Sequence, residues 1–230
     1  MTTGIIIRIN GPIIEARNME STGMLEVVEV GEARLIGEVI RVRGAISTIQ
    51  VYENTSGLRP GEPVYCTGRP LSVCLGPGLL GTIYDGIQRP LDKMAAGGDA
   101  FIRRGVKTAP LDLDRRWHFR PLAKVGDQLQ PGQVIGEVQE TQSVLHKVML
   151  PPGRRGQVAQ IASEGEYDGH AAICTLDTDG HTDQVGLFQW WPVRRPRPAL
   201  QRLPLAAPLL TGLRVIDTFF PLAKGGAAAI

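Results

Sequence analysis

Apolar and polar positions alternate in short runs through the first third of the chain. They predict strands at Ile5–Asn10, Ile13–Arg17, Leu25–Val30, Leu35–Arg43, Ala45–Tyr52 and Pro63–Thr67. In Ala45–Tyr52, Ala45, Ser47, Ile49 and Val51 share one face while Thr48 and Gln50 take the other. That period of two is what a half-buried strand requires. Turn chemistry separates the runs: Asn10-Gly11-Pro12, Val30-Gly31-Glu32, Asn54-Thr55-Ser56-Gly57 and Arg59-Pro60-Gly61. So many short strands in so little chain leave costly open edges unless the sheet closes, which predicts a small six-stranded barrel over residues 1–72.

The pattern then changes. Residues 73–110 read as a connector, in which the glycine-rich stretch Leu75–Pro90 carries one short apolar strand. Residues 111–183 read as a second β-module of short hairpins. Gly-Asp and Pro-Gly turns are evenly spaced through Lys124–Val138, and Pro151-Pro152-Gly153 leads into Gly156–Ile161. Residues 184–230 begin as a proline-spaced strap, Trp191–Pro208, with Arg194, Arg195 and Arg197 as a small basic cluster that is solvated or interfacial. The period becomes helical near Thr211 or Gly212. Leu213, Ile216 and Phe220 share a face that Val215 and Phe219 widen, and Pro221 stops the helix. Gly225-Gly226 then turns into Ala227–Ile230, which reads as a small apolar central strand. The fold class is mainly β: a closed barrel, an inserted β-module, and the first elements of an α/β domain.

Composition sharpens this only in places. The 28 glycines, 17 prolines and 5% aromatic residues suit turns and short strands better than long helices. A net charge of +2 gives no field that would select nucleic acid or an anionic membrane. Neither a secretory signal nor a membrane-length apolar run opens the chain. Cys66, Cys74 and Cys174 fit a reducing compartment, with thiols serving as small apolar residues.

Candidate chemistry is sparse. No G-x-x-x-x-G-K-[ST] phosphate loop occurs, and Gly76-Pro77-Gly78-Leu79-Leu80-Gly81 lacks the lysine that would complete one. Asp85 and Arg89 either pair, with each other or across a subunit interface, or stand as two solvated loop charges. His118, His146, His170 and His181 are scattered. His170 and Cys174 lie four apart in a segment that reads as a strand, where that spacing does not converge on a metal. Asp177-Thr178-Asp179-Gly180 opens like a calcium loop but lacks the later ligands, and reads as a polar hairpin turn. No catalytic, cofactor-binding or metal-ligating residue is therefore assigned. Two alternatives remain. One is a biotinyl- or lipoyl-type carrier modified at Lys147, in His146-Lys147-Val148-Met149. The other is an oligonucleotide-binding barrel, for which Tyr52 and Tyr65 are the aromatics of the first segment.

Three stretches carry a family resemblance: the run from Gly37 to Leu91, the RRWHFRPLAKVGD and PPGRRGQV segments, and Trp191–Pro198 with Leu209–Ile230. Together they resemble the catalytic A subunit of A-type and V-type rotary ATPases. Cys74 and Asn54 depart from it where acidic residues are expected. The resemblance implies an N-terminal barrel, an inserted bulge domain, and a nucleotide-binding domain whose phosphate loop would follow Ile230. It also implies B subunits alternating in a ring, central and peripheral stalk partners, ATP or ADP with Mg²⁺ in the full-length protein, and a cytoplasmic position peripheral to the membrane. The expectation is a chain cut just before its catalytic machinery, inactive on its own.

Overall fold

The computed structural model describes residues 3–95, 104–178, 180–197 and 204–229. Alternation in the first segment closes a sheet on itself. Strands β1 (Thr3–Asn10), β2 (Ile13–Arg17), β3 (Glu26–Val30), β4 (Leu35–Arg43), β5 (Ile46–Val51) and β6 (Pro63–Pro70) form a closed antiparallel barrel in the order β1-β2-β5-β4-β3-β6. Ile6, Ile14, Val28, Val30, Leu35, Val39, Ile49 and Val64 point inward with at most 1% exposure. Register shifts between Ile6 and Arg8 and between Val39 and Arg41 mark irregularities that bend the strands enough to close. β2 and β4 have the predicted bounds. Leu25, predicted to open the third strand, has φ of 65° and stays in the turn.

The chain leaves the barrel through β7 (Ser72–Leu75), which pairs with β16 (Gln189–Pro192) as a two-stranded sheet. The apolar strand predicted within Leu75–Pro90 is absent; only a Tyr84–Pro90 bridge lies there, before a short helix α1 (Leu91–Ala95) that the pattern did not announce. Gln88, at φ 62°, turns the chain back sharply.

Between β7 and β16 lie two four-stranded sheets. One joins β8 (Trp117–Pro121), β10 (Val134–Gln139), β11 (Leu145–Met149) and β13 (Gly165–Tyr167) in the order β11-β10-β8-β13. The other joins β9 (Gln128–Leu129), β12 (Gly156–Ile161), β14 (Ala172–Thr178) and β15 (His181–Gly186) in the order β15-β14-β12-β9. Their side chains build two buried clusters, one around Ile135, Leu150 and Leu176, the other around Trp117, Phe119 and Ile173. Gly136 has a packing role. A Cβ there would come within 2.3 Å of the Phe119 ring and 2.6 Å of the Arg120 carbonyl, so the ring needs a bare backbone to lie on.

Residues 197–230 form a separate unit. In it β17 (Pro208–Leu209) pairs with β18 (Leu222–Ala223) around a helix α2 (Arg214–Phe219). Asp217 reaches back and accepts hydrogen bonds from the Thr211 amide (2.9 Å), the Thr211 hydroxyl (2.8 Å) and the Gly212 amide (3.0 Å). The Thr211 contacts, chiefly, hold its carboxyl below the usual range. Helix, stop and the turn at Gly225 stand as the pattern predicts. The predicted strand at Ala227–Ile230 does not: Ala227–Ala229 are unpaired, and Ile230 lies outside the described residues. A central strand needs neighbours on both sides, and within this unit β17 and β18 pair only with each other.

Candidate functional site

Three glutamates of the barrel segment each hold a basic residue far along the chain. Glu38 lies in the middle of β4 and is 3% exposed, although alternation assigns it to the outer face. What buries it there is Tyr52, whose hydroxyl donates to Oε2 at 3.1 Å, and Arg194, which follows β16. Arg194 grips the carboxylate with both Nη atoms, Nη2 at 2.9 Å from Oε2 and Nη1 on Oε1. This bidentate fork is the geometry in which guanidinium binds carboxylate best. Burial, and then the carboxylate, push the Tyr52 hydroxyl above its ordinary range.

Glu53, just past β5, takes the Gly105 amide at 2.9 Å and Arg89 Nη1 at 3.2 Å on the same oxygen. Arg89 also donates Nε to Asp85 Oδ2 at 2.7 Å, and Asp85 Oδ1 accepts the amides of Ile87 and Arg89. Burial alone would raise the Asp85 carboxyl. The bonds from Arg89 and Ile87 outweigh it and draw the carboxyl below its usual range. Of the alternatives for Asp85 and Arg89, the structure selects the pair, and adds Glu53 as a partner that local spacing could not reveal. Glu29 completes the set, accepting Lys107 Nζ at 2.6 Å and Arg34 Nη1 at 2.9 Å. Burial raises the Glu29 carboxyl and these two cations more than reverse it.

The glycine-rich loop has an unexpected occupant. The amides of Gly78 and Leu80 donate to Glu140 Oε1 at 2.8 and 3.1 Å, while His146 Nδ1 lies 3.5 Å from Oε2. This loop does not fit a nucleotide phosphate. No lysine follows this loop, and its converging amides are already bound to a protein carboxylate.

The remaining candidates separate. Lys147 sits in mid-strand in β11, opposite Glu137 of β10, and not at a hairpin tip, so the carrier reading is corrected. His170 is in an exposed turn 3.4 Å from Asp114, whereas Cys174 is buried in β14. Asp177 accepts the Gly180 amide at 3.0 Å within a β14–β15 hairpin, as a polar turn does; Asp179 lies outside the described residues. His118 meets Glu164 at 3.1 Å and Glu166 at 3.2 Å on the exposed face of β8, and these carboxylates raise its pKa. Among the described residues no three His, Cys, Asp or Glu side chains assemble a metal site. Asn54 caps its own turn by accepting the Ser56 amide at 2.8 Å. Cys74 is 2% exposed, and burial lifts its thiol to about 11.

Sequence reading missed Glu29, Glu38, Glu53 and Glu140 because the partners that tie them to other segments lie far away, 156 residues in the case of Glu38 and Arg194. No local pattern encodes such a pair.

Comparison with known proteins agrees with the fold. Residues 6–68 match the beta-barrel domain of the ATP synthase alpha/beta family, and residues 108–194 match the barrel-sandwich domain of the ATP synthase alpha and beta chains. The chain is 54% identical over 230 residues to the A subunit of the A-type ATP synthase from Hyperthermus butylicus, covering 99% of this chain and 38% of that protein. It is 52% identical over 228 residues to the V-type ATP synthase alpha chain of Halothermothrix orenii, covering 99% and 39%. It is 51% identical over 231 residues to the A subunit of the A-type ATP synthase from Saccharolobus islandicus, covering 100% and 39%. The chain thus spans less than two fifths of the length of these relatives.

Proposed function

The chain belongs to the family of A-type and V-type ATP synthase A subunits, and on that premise we propose that it forms the assembly end of such a protein. In this reading residues 1–72 set it in a ring with B subunits, residues 73–110 connect, residues 111–183 extend outward, and residues 184–230 lead into a nucleotide-binding domain. The complete protein makes or hydrolyses ATP with Mg²⁺ and couples this to ion movement through stalk partners. It works at the cytoplasmic side, peripheral to the membrane. No helix among the described residues is long and apolar enough to cross one.

The observation that carries the reading is the set of barrel glutamates. Glu29, Glu38 and Glu53 tie the barrel to Lys107, Arg194 and Arg89 in the segments around it. A part that fixes subunits in a ring gains from such preorganisation, because less freedom is lost on association. These residues position; they do no chemistry.

Two measurements test this. Calorimetric titration of ATP and Mg²⁺ into residues 1–230 is expected to give no saturable heat, and saturable binding overturns the claim that nucleotide chemistry resides outside this region. Mixing the chain with a B subunit of the same family is expected to give a mixed complex on a sizing column. Persistent separation of the two proteins contradicts the assembly role.

A further inference from the structure

The sheet of β7 and β16 has two outer edges, and they are treated differently. Val193 donates its amide to the Leu71 carbonyl at 2.9 Å, which makes Trp191–Val73 and Gln189–Leu75 the bonded pairs. By the alternation of an antiparallel ladder, the main-chain groups of Cys74 and Trp190 then point outward. At Cys74 the outward groups are closed off. The Gln88 side-chain amide accepts the Cys74 N–H at 2.6 Å and donates to its carbonyl at 2.7 Å, standing in for a third strand. Pro192 takes the other outward position on β16, where a missing N–H costs nothing. Among the described residues nothing pairs with the outward N–H and C=O of Trp190.

The surroundings of this open edge are specific. The Trp190 indole is 56% exposed and stands between two grooves. One, of about 280 Å³, is walled by Leu71, Pro110 and Arg69; the other, of about 360 Å³, by Pro151, Pro152 and Arg195. The Arg69 guanidinium lies 5.7 Å over the indole, and among the described residues neither Arg69 nor Arg195 has a carboxylate at ion-pair distance. Exposed Trp and Arg around an unpaired edge are the residue types that dominate protein–protein contacts, and an unpaired strand edge recruits an extended chain.

We propose that the outer edge of β16 at Trp190 docks an extended acidic segment of a partner protein. That segment pairs with the Trp190 main chain and sets its carboxylates on Arg69 and Arg195. A second copy of this chain is the wrong occupant, because a two-fold pairing at Trp190 brings the arginines of both copies together without counter-charge. The inference stands on the edge and its charges and does not depend on the ring-assembly reading.

The test uses the full chain and a labelled ten-residue probe of alternating glutamate and valine, with a lysine–valine peptide as control. Fluorescence anisotropy is expected to show salt-sensitive binding of the acidic peptide alone. The affinity should fall by about tenfold or more for Trp190→Ala and for the double variant Arg69→Glu, Arg195→Glu. Hydrogen exchange of the Trp190 amide should slow when the peptide binds. Thermal melts of the variants check folding, and Arg195→Glu alone, an exposed change, carries the test if Trp190→Ala does not fold. The proposal is overturned by absence of saturable binding, by binding insensitive to these variants, or by an unprotected Trp190 amide. Sedimentation showing a Trp190-dependent dimer overturns it as well, since the occupant is then a second copy.

Discussion

The barrel and the unit at residues 204–229 are both built from short apolar runs, yet they end in opposite conditions. In the barrel every strand has a neighbour on each side, and Ile14, Val28, Leu35, Val39, Ile49 and Val64 have no exposed surface. In the other unit Leu210, Leu213, Val215, Phe219 and Phe220 are each more than 60% exposed, and α2 buries none of its residues. The difference is topological. A sheet that closes supplies its own partners for both main chain and side chains, whereas a six-residue helix with one small ribbon has only one apolar face and nothing of its own to lay it on.

The contrast is sharpest for single truncations. Ile49→Ala removes a fully buried side chain from the barrel and is expected to cost about 3–4 kcal/mol, read from urea denaturation by circular dichroism. Phe219→Ser should leave the same transition within about 0.5 kcal/mol. A comparable loss for both would erase the distinction.

Next in size is the charged fastening. Arg89→Ala strands Glu53 and Asp85 in a largely buried position and should cost about 3 kcal/mol, with the amide of Gly105 exchanging faster. Arg194→Ala leaves Glu38 with Tyr52 alone, and a smaller fall is expected, because half of that arginine side chain already faces solvent. If Arg194→Ala proves the more damaging of the two, the strap after β16 and not the connector is what secures the barrel.

The pH profile separates the regions by sign. Glu29 and Asp85 have depressed pKa values, so their stabilisation is complete above the ordinary carboxylate values of 4.5 and 3.8 and disappears as pH falls below them. His118 has a raised pKa, so its contribution is complete below 6.5 and is lost as pH rises from there. Barrel amides should therefore lose protection on acidification, and β8 and β13 amides should lose a little on passing above neutrality. The His118 effect is the smallest, since all three groups are exposed and salt screens them.

What the sequence made legible follows the same physics. β2 and β4 could be placed to the residue because alternation and turn signals are local. The closed barrel followed from strand number, since open edges are costly. The helix at Arg214–Phe219 and its proline stop were equally readable, but Ala227–Ala229, small and apolar, read as a strand only on the assumption of neighbours that the unit does not supply. The fastening residues were not legible. Glu38 looks like an ordinary outward strand residue until Arg194 covers it, and Glu140 looks like a loop acid until the Gly78 amide is seen to donate to it. Only Asp85 and Arg89, four apart, had a spacing that hinted at their bond.

The glycine-rich loop holds the Glu140 carboxylate on its amides. Converging amides on a bend attract whatever anion is at hand, and a cell offers them orthophosphate and nucleotides in abundance. Here the anion is tethered, supplied by the β10–β11 hairpin at a local concentration that free ions do not match. The bend thus comes with an anion of the chain's own making, and the two amides that converge there are committed to a side chain.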